Sequence, residues 1–164
     1  MLDPPVLAAY LDRSHLRPSP NEREAIGAPL TQLFSDELGW RQLEKQVAQV
    51  YRSLPPEEQS HAAILAMNYG EAAAIDVYGR EDGLPAAICG QLQYYFWGTR
   101  GHDGSVIIQI NGDPARLANA CEKSEVLAQF GGPYVMPYEN GPIILCHGLR
   151  RPLDELWPRF RRMH

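Results

Sequence analysis

Hydrophobic positions along this chain change period several times, and the changes mark an alternation of helices and strands. Trp40, Leu43, Val47, Val50, Tyr51 and Leu54 fall at offsets of 0, 3, 7, 10, 11 and 14, one stripe of a helix, with Arg41, Glu44, Lys45 and Arg52 on the other side. Asp36 is placed to cap that helix and Pro55-Pro56 to stop it. Residues 62–67 form a continuous apolar run, followed by Asn68-Tyr69-Gly70-Glu71 and an apolar turn through Ala74, Ile75 and Val77. This reads as strand, polar loop, helix. Residues 86–89 fit a second short buried strand. Residues 105–110 make the clearest one, because Val106, Ile107, Ile108 and Ile110 are β-branched and nearly uninterrupted, as a strand covered on both faces requires. Asn111-Gly112-Asp113-Pro114 then places an Asp at the cap and a Pro at the first position of a helix running to about residue 123. Strands at 126–130 and 143–147 are joined by a long loop, and Pro152 opens a short helix carrying Leu153, Leu156, Trp157 and Phe160, which Pro158 kinks or ends.

Three strand-helix alternations predict a three-layer α/β fold, Rossmann-like, with a mainly parallel or mixed sheet of about five strands and helices on both faces. Ahead of it, residues 1–35 carry Pro4, Pro5, Pro18, Pro20 and Pro29 around a short helical piece at 6–11. They read as a Pro-rich leader packed on a single α/β domain of residues 36–164. A chain of 164 residues is long enough to bury roughly 68–70% of its unfolded surface without staples.

Charge narrows the classes of partner. The net charge of -5 argues against a nucleic-acid partner, which calls for a basic face. The distribution is uneven, since residues 150–162 hold five arginines against Asp154 and Glu155, a local +3 that leaves -8 on the rest. That basic end reads either as a contact for anionic lipid headgroups or as a solvated helix end. Cys89, Cys121 and Cys146 lie 32 and 25 residues apart with no CxxC and no His pair nearby, so the reading is buried thiols, with one disulfide as the alternative. No apolar run reaches the roughly 18 residues that span a bilayer, and the first residues lack the pattern of a signal peptide, so the chain itself is expected to be soluble.

In an open α/β sheet, ligands sit at the carboxyl ends of strands, where free N–H groups face outward. The candidate ligand-binding residues are therefore Asn68, Tyr69, Gly70 and Glu71, flanked by Gly90, Tyr94 and Trp97, with Glu139 in the long loop near Tyr134 and Tyr138. Each has a structural alternative. Glu71 can serve the helix start through the dipole, and Tyr94-Tyr95-Phe96-Trp97 can pack a core as readily as stack on a sugar ring. Glu71 and Asp76, five apart, are offset by roughly 140° around a helix and do not converge as an acid/base pair unless Glu71 lies before the helix proper. His61, His102 and His147 share no metal spacing. No catalytic or metal residues are assigned and no cofactor is expected. The 68–72 loop is neither a dinucleotide fingerprint nor a P-loop.

Several stretches, in this order, resemble the bacterial membrane glycosyltransferases related to dolichyl-phosphate-mannose protein mannosyltransferases, and specifically the soluble C-terminal domain after their membrane helices. They are Leu33-Phe34-Ser35-Asp36-Glu37-Leu38-Gly39-Trp40, Tyr51 with Leu54-Pro55-Pro56-Glu57-Glu58, Asn68-Tyr69-Gly70-Glu71-Ala72 with Ala74-Ile75-Asp76, Tyr94-Tyr95-Phe96-Trp97-Gly98, Met136-Pro137-Tyr138-Glu139, and Pro152-Leu153 with Glu155-Leu156-Trp157-Pro158. The chain departs from the family at Ala73, where glycine is common, and at Gln91-Leu92-Gln93, where the family often has His-Asn-Ser. The resemblance implies an accessory domain, non-catalytic alone, of a polyprenyl-phosphate-sugar-dependent, mannosyltransferase-like enzyme. It implies a parent in the bacterial cytoplasmic membrane with this domain on the extracytoplasmic side. The implied partners are the membrane portion of the parent chain, a polyprenyl-phosphate sugar or a glycan acceptor. The other classes the residues leave open are a free-standing nucleotide- or sugar-phosphate-binding protein and a pure protein-interaction domain.

Overall fold

The computed structural model describes residues 2–16 and 28–163. Pro18 and Pro20 of the leader lie outside these described residues. Two compact units emerge: Met1–Trp40 together with Gly131–Asn140, and Arg41–Phe130 together with Gly141–His164.

In the first unit, α1 (Pro4–Arg13) starts on two prolines, which lack the N–H groups a first turn leaves unpaired anyway. Leu7 and Leu11, four apart on one face, bury with Leu30 among Ala8, Phe34, Leu38 and Tyr134. A single turn, α2 (Gln32–Ser35), follows. Asp36 closes this turn, its N–H donating to the Gln32 carbonyl at 2.8 Å, so it does not cap the next helix as its spacing suggested. Its carboxylate instead accepts from the Tyr138 hydroxyl at 3.1 Å.

The striped helix, α3 (Trp40–Ser53), buries Leu43, Val47 and Val50 as its pattern predicts. A short helix that apolar spacing did not announce, α4 (Pro56–His61), comes next, with Glu57 and Glu58 in its first turn. Then follow β1 (Ala62–Ala66), α5 (Tyr69–Tyr78), β2 (Ile88–Cys89), the one-turn α6 (Gln93–Phe96), β3 (Val106–Ile110), α7 (Pro114–Ala120), β4 (Cys121–Phe130), β5 (Gly141–Leu149) and α8 (Leu153–Leu156). The strands form one open mixed sheet in the order β2-β1-β3-β5-β4, in which β1 pairs parallel with β2 and β3 while β5 runs antiparallel between β3 and β4.

This order dictates the layers. Parallel crossovers are right-handed, and the crossover through α5 moves one way from β1 whereas that through α7 moves the other way from β3. The two helices therefore fall on opposite faces, giving the three-layer α/β fold. On the α7 face, Ala63, Leu65, Ile107, Ile144 and Cys146 pack with Leu117, Leu153 and Trp157. On the α5 side, α3 is tied to the loop after α5 by Lys45 and Arg52, which both pair with Asp82. Those cations hold the Asp82 carboxyl well below the usual carboxylate range.

Two expectations change. The helix from Pro114 stops at Ala120, and β4 starts at once and runs ten residues, well before residue 126; its middle is mostly exposed, as befits an edge strand, so no alternation announced it. Cys121 and Cys146 form a disulfide with Cα atoms 5.8 Å apart, so the buried-thiol reading holds for Cys89 alone. Among the described residues no helix is long and apolar enough to cross a membrane.

Candidate functional site

The first turn of α5 would offer unpaired N–H groups to a ligand, but the chain fills much of that role itself. Asn68 Oδ1 accepts from the Glu71 N–H at 2.9 Å. The Glu71 carboxylate reaches back to the N–H groups of Met67 at 2.7 Å and Asn68 at 3.3 Å, completing a reciprocal capping box. The Tyr69 N–H donates to Gln91 Oε1 at 3.0 Å. Glu71 is fully buried, Gly70 is the second residue of the helix, and the Tyr69 side chain is 53% exposed. Gln91 thus serves the helix start.

Gly90 is required by a backbone crossing. The segment after α8 lies against it so closely that a Cβ there would stand 2.1 Å from the Phe160 carbonyl oxygen. The Arg162 N–H donates to the Gly90 carbonyl and the Leu92 N–H to the Arg162 carbonyl, each at 2.8 Å. The Arg162 guanidinium donates to the Met67 carbonyl. The C-terminal segment thus crosses the carboxyl ends of β1 and β2. Beneath it, burial pushes the Cys89 thiol up from its ordinary pKa, against smaller opposing effects of the Gln91 N–H and the Arg162 charge.

Tyr94 and Trp97 belong to a neighbouring cluster built on Asp76. Asp76 Oδ1 accepts from the Ala87 N–H at 2.8 Å and Oδ2 from the Tyr94 hydroxyl at 3.1 Å. Arg100 stands 3.6 Å from Asp76 Oδ2, donates to the Ala87 carbonyl at 3.1 Å, and lies over the Trp97 ring at 5.2 Å. Tyr94 meets Trp97 edge-on at 4.6 Å. Asp76 and Arg100 together grip both backbone groups of Ala87, as a neighbouring strand would, just ahead of the edge strand β2. Burial, followed by the Asp76 charge, pushes the Tyr94 phenol up to about 12. A hollow of about 490 Å³ opens beside Asp76, Trp97 and Arg100.

The sequence-predicted residues therefore divide three ways. Asn68, Tyr69, Gly70, Glu71 and Gly90 gather at the ends of β1 and β2, and Tyr94 and Trp97 gather around Asp76. Glu139 belongs to the first unit, buried in the 3₁₀ turn Pro137–Glu139. Sequence reading assigned no site role to Gln91, Arg100 or Arg162, which complete these clusters. Gln91 stood out only as a departure in its loop, and Arg162 only within the arginine-rich end. The acidic groups in these clusters accept backbone N–H groups, an arrangement suited to holding loops at fixed positions. No family model, no curated protein and no solved structure matches this chain.

Proposed function

We propose that this chain is the soluble accessory domain of a polyprenyl-phosphate-sugar-dependent membrane glycosyltransferase, a domain without a reaction centre of its own that contacts the acceptor or the lipid-linked sugar. One observation carries the reading: three stretches far apart in the chain, on which the resemblance partly rests, residues 68–76, 94–98 and 152–158, pack together within the second unit. Trp157 of the Leu-Trp-Pro stretch donates its indole N–H to the Tyr95 carbonyl at 3.1 Å and stacks parallel to the Tyr95 ring at 5.9 Å. Tyr94, beside it, bonds to Asp76 of the stretch that begins at Asn68. Motifs with this packing role suit a scaffold, a domain that lends surface to a larger enzyme.

The Cys121–Cys146 disulfide supports placement on the extracytoplasmic side, because such bonds persist in oxidising compartments. The test is immunodepletion. An antibody to this domain should remove polyprenyl-phosphate-sugar transferase activity from a detergent extract of the source membranes, and the isolated chain should transfer no sugar when added alone. Full activity left in the depleted extract, or transfer by the isolated chain, contradicts the reading.

A further inference from the structure

The connections of the sheet part between β1 and β3. From β1 the chain goes through α5 to β2 on one side, and from β3 through α7 to β4 on the other. A switch point of this kind leaves a crevice outside the carboxyl ends of the two strands. Here the crevice leads into a cavity of about 430 Å³, within the roughly 300–1,000 Å³ that small-molecule sites occupy.

The cavity has two chemically distinct parts. Its floor is apolar, made of the buried side chains of Leu65, Ile107 and Leu117, with Phe160 closing it from the C-terminal segment. Its rim is basic: Arg116 comes from α7, and Arg159 and Arg162 from the segment after α8. Arg159 has no ion-pair partner among the described residues. Among the described lining residues Asp113 is the single carboxylate. It accepts the Ala115 N–H at 2.9 Å and lies 3.4 Å from Arg116, so it offsets one of the three cations. Gln109, buried beside Leu65 in the β1–β3 register, lines the same cavity. The rim carries net positive charge on a chain that is -5 as a whole. Guanidinium groups brought together over an apolar floor favour a ligand that is anionic at one end and apolar at the other.

We propose that this cavity binds an amphipathic anion, its phosphate or carboxylate head held at Arg116, Arg159 and Arg162 and its apolar part lying on Leu65, Ile107 and Leu117. The inference rests on the cavity and not on the glycosyltransferase reading, so each can fail without the other.

Calorimetric titration of the full chain with octyl phosphate below its micellar concentration, and separately with inorganic phosphate and octanol, tests it. Octyl phosphate should bind at least about tenfold tighter than either control, because each control lacks one half of the recognition. Arg159→Gln should weaken octyl phosphate by about tenfold through loss of a charge-assisted contact, with thermal unfolding unchanged. Octanoate in place of octyl phosphate assigns the head group, and tighter binding of either anion supports the proposal. Absence of binding by both anions, octanol or inorganic phosphate matching the tighter-binding anion, or undiminished affinity for that anion in a folded Arg159→Gln chain would overturn it.

Discussion

Removing the Cys121–Cys146 cross-link should cost more stability than most single changes in this fold, and the cost can be worked from the chain. The bond closes a separation of 25 residues. Chain entropy assigns about 3 kcal/mol to a 15-residue loop and about 4.7 kcal/mol to a 100-residue one, which puts this loop near 3.5 kcal/mol. Both cysteines are buried among Ala63, Ile107, Leu117 and Trp157, so replacing them with alanine removes the cross-link while keeping small apolar side chains in place. For a domain of this size about 1 kcal/mol shifts Tm by roughly 2–4 °C. Cys121→Ala with Cys146→Ala should therefore unfold about 7–14 °C below the oxidised protein. The assay is thermal unfolding with and without reductant, paired with thiol counting in denaturant. Oxidised protein should show one thiol, from Cys89, which reacts only on unfolding because it is buried. Three thiols in protein recovered from its native compartment, or equal Tm for the variant and the oxidised protein, would refute the reasoning.

Other consequences can be measured on the same chain. Gly90→Ala drives a Cβ into the Phe160 carbonyl and should break the two 2.8 Å bonds that seat the C-terminal segment, costing about 2 kcal/mol or more in urea unfolding. Gly132→Ala, whose Cβ meets nothing closer than 3.7 Å, should stay within about 0.5 kcal/mol. Glu71→Ala strips the acceptor from the Met67 and Asn68 N–H groups and should cost about 1–3 kcal/mol, whereas Glu71→Gln, which keeps an oxygen acceptor, should recover part of it; equal loss in both contradicts the capping-box account. The Tyr94 phenol, raised to about 12 in the folded chain, favours folding fully below the ordinary tyrosine value near 10, and that contribution disappears as pH climbs from there through 12. Tyr94→Phe should flatten this alkaline loss, and an unchanged profile would count against a phenol raised by burial and by the Asp76 charge.

Elements that bury one stripe or two faces were legible in the residues. The α3 stripe, the β-branched run of β3 and the apolar run of β1 each repeat a period set by burial, and a period shows in a single sequence. Elements stabilised by other means were not. In α4, Pro56-Glu57-Glu58-Gln59-Ser60-His61 has no buried residue, and its start is marked only by a proline and two acids. The edge strand β4 exposes most of its middle, so its alternation is lost. Asp36 illustrates an ambiguity of spacing, because a residue four before Trp40 can serve the element behind it as easily as the one ahead. At the site, Asn68 and Glu71 stood out as a polar loop before a helix, read as a ligand loop or a dipole-favoured carboxylate and not as the capping box they form. The packing of Gly90 against Phe160, the grip of Asp76 and Arg100 on Ala87, and the cavity between β1 and β3 each join residues well apart in the chain, so no window along it could display them.

The claim on which the functional reading depends is that this domain is part of a larger membrane enzyme. Source cells separated into membrane and soluble fractions and blotted with an antibody to the domain test it most directly. The account predicts a membrane band several times heavier than the 18.4 kDa of this chain. A soluble band at about that mass, with none in the membrane, would contradict it.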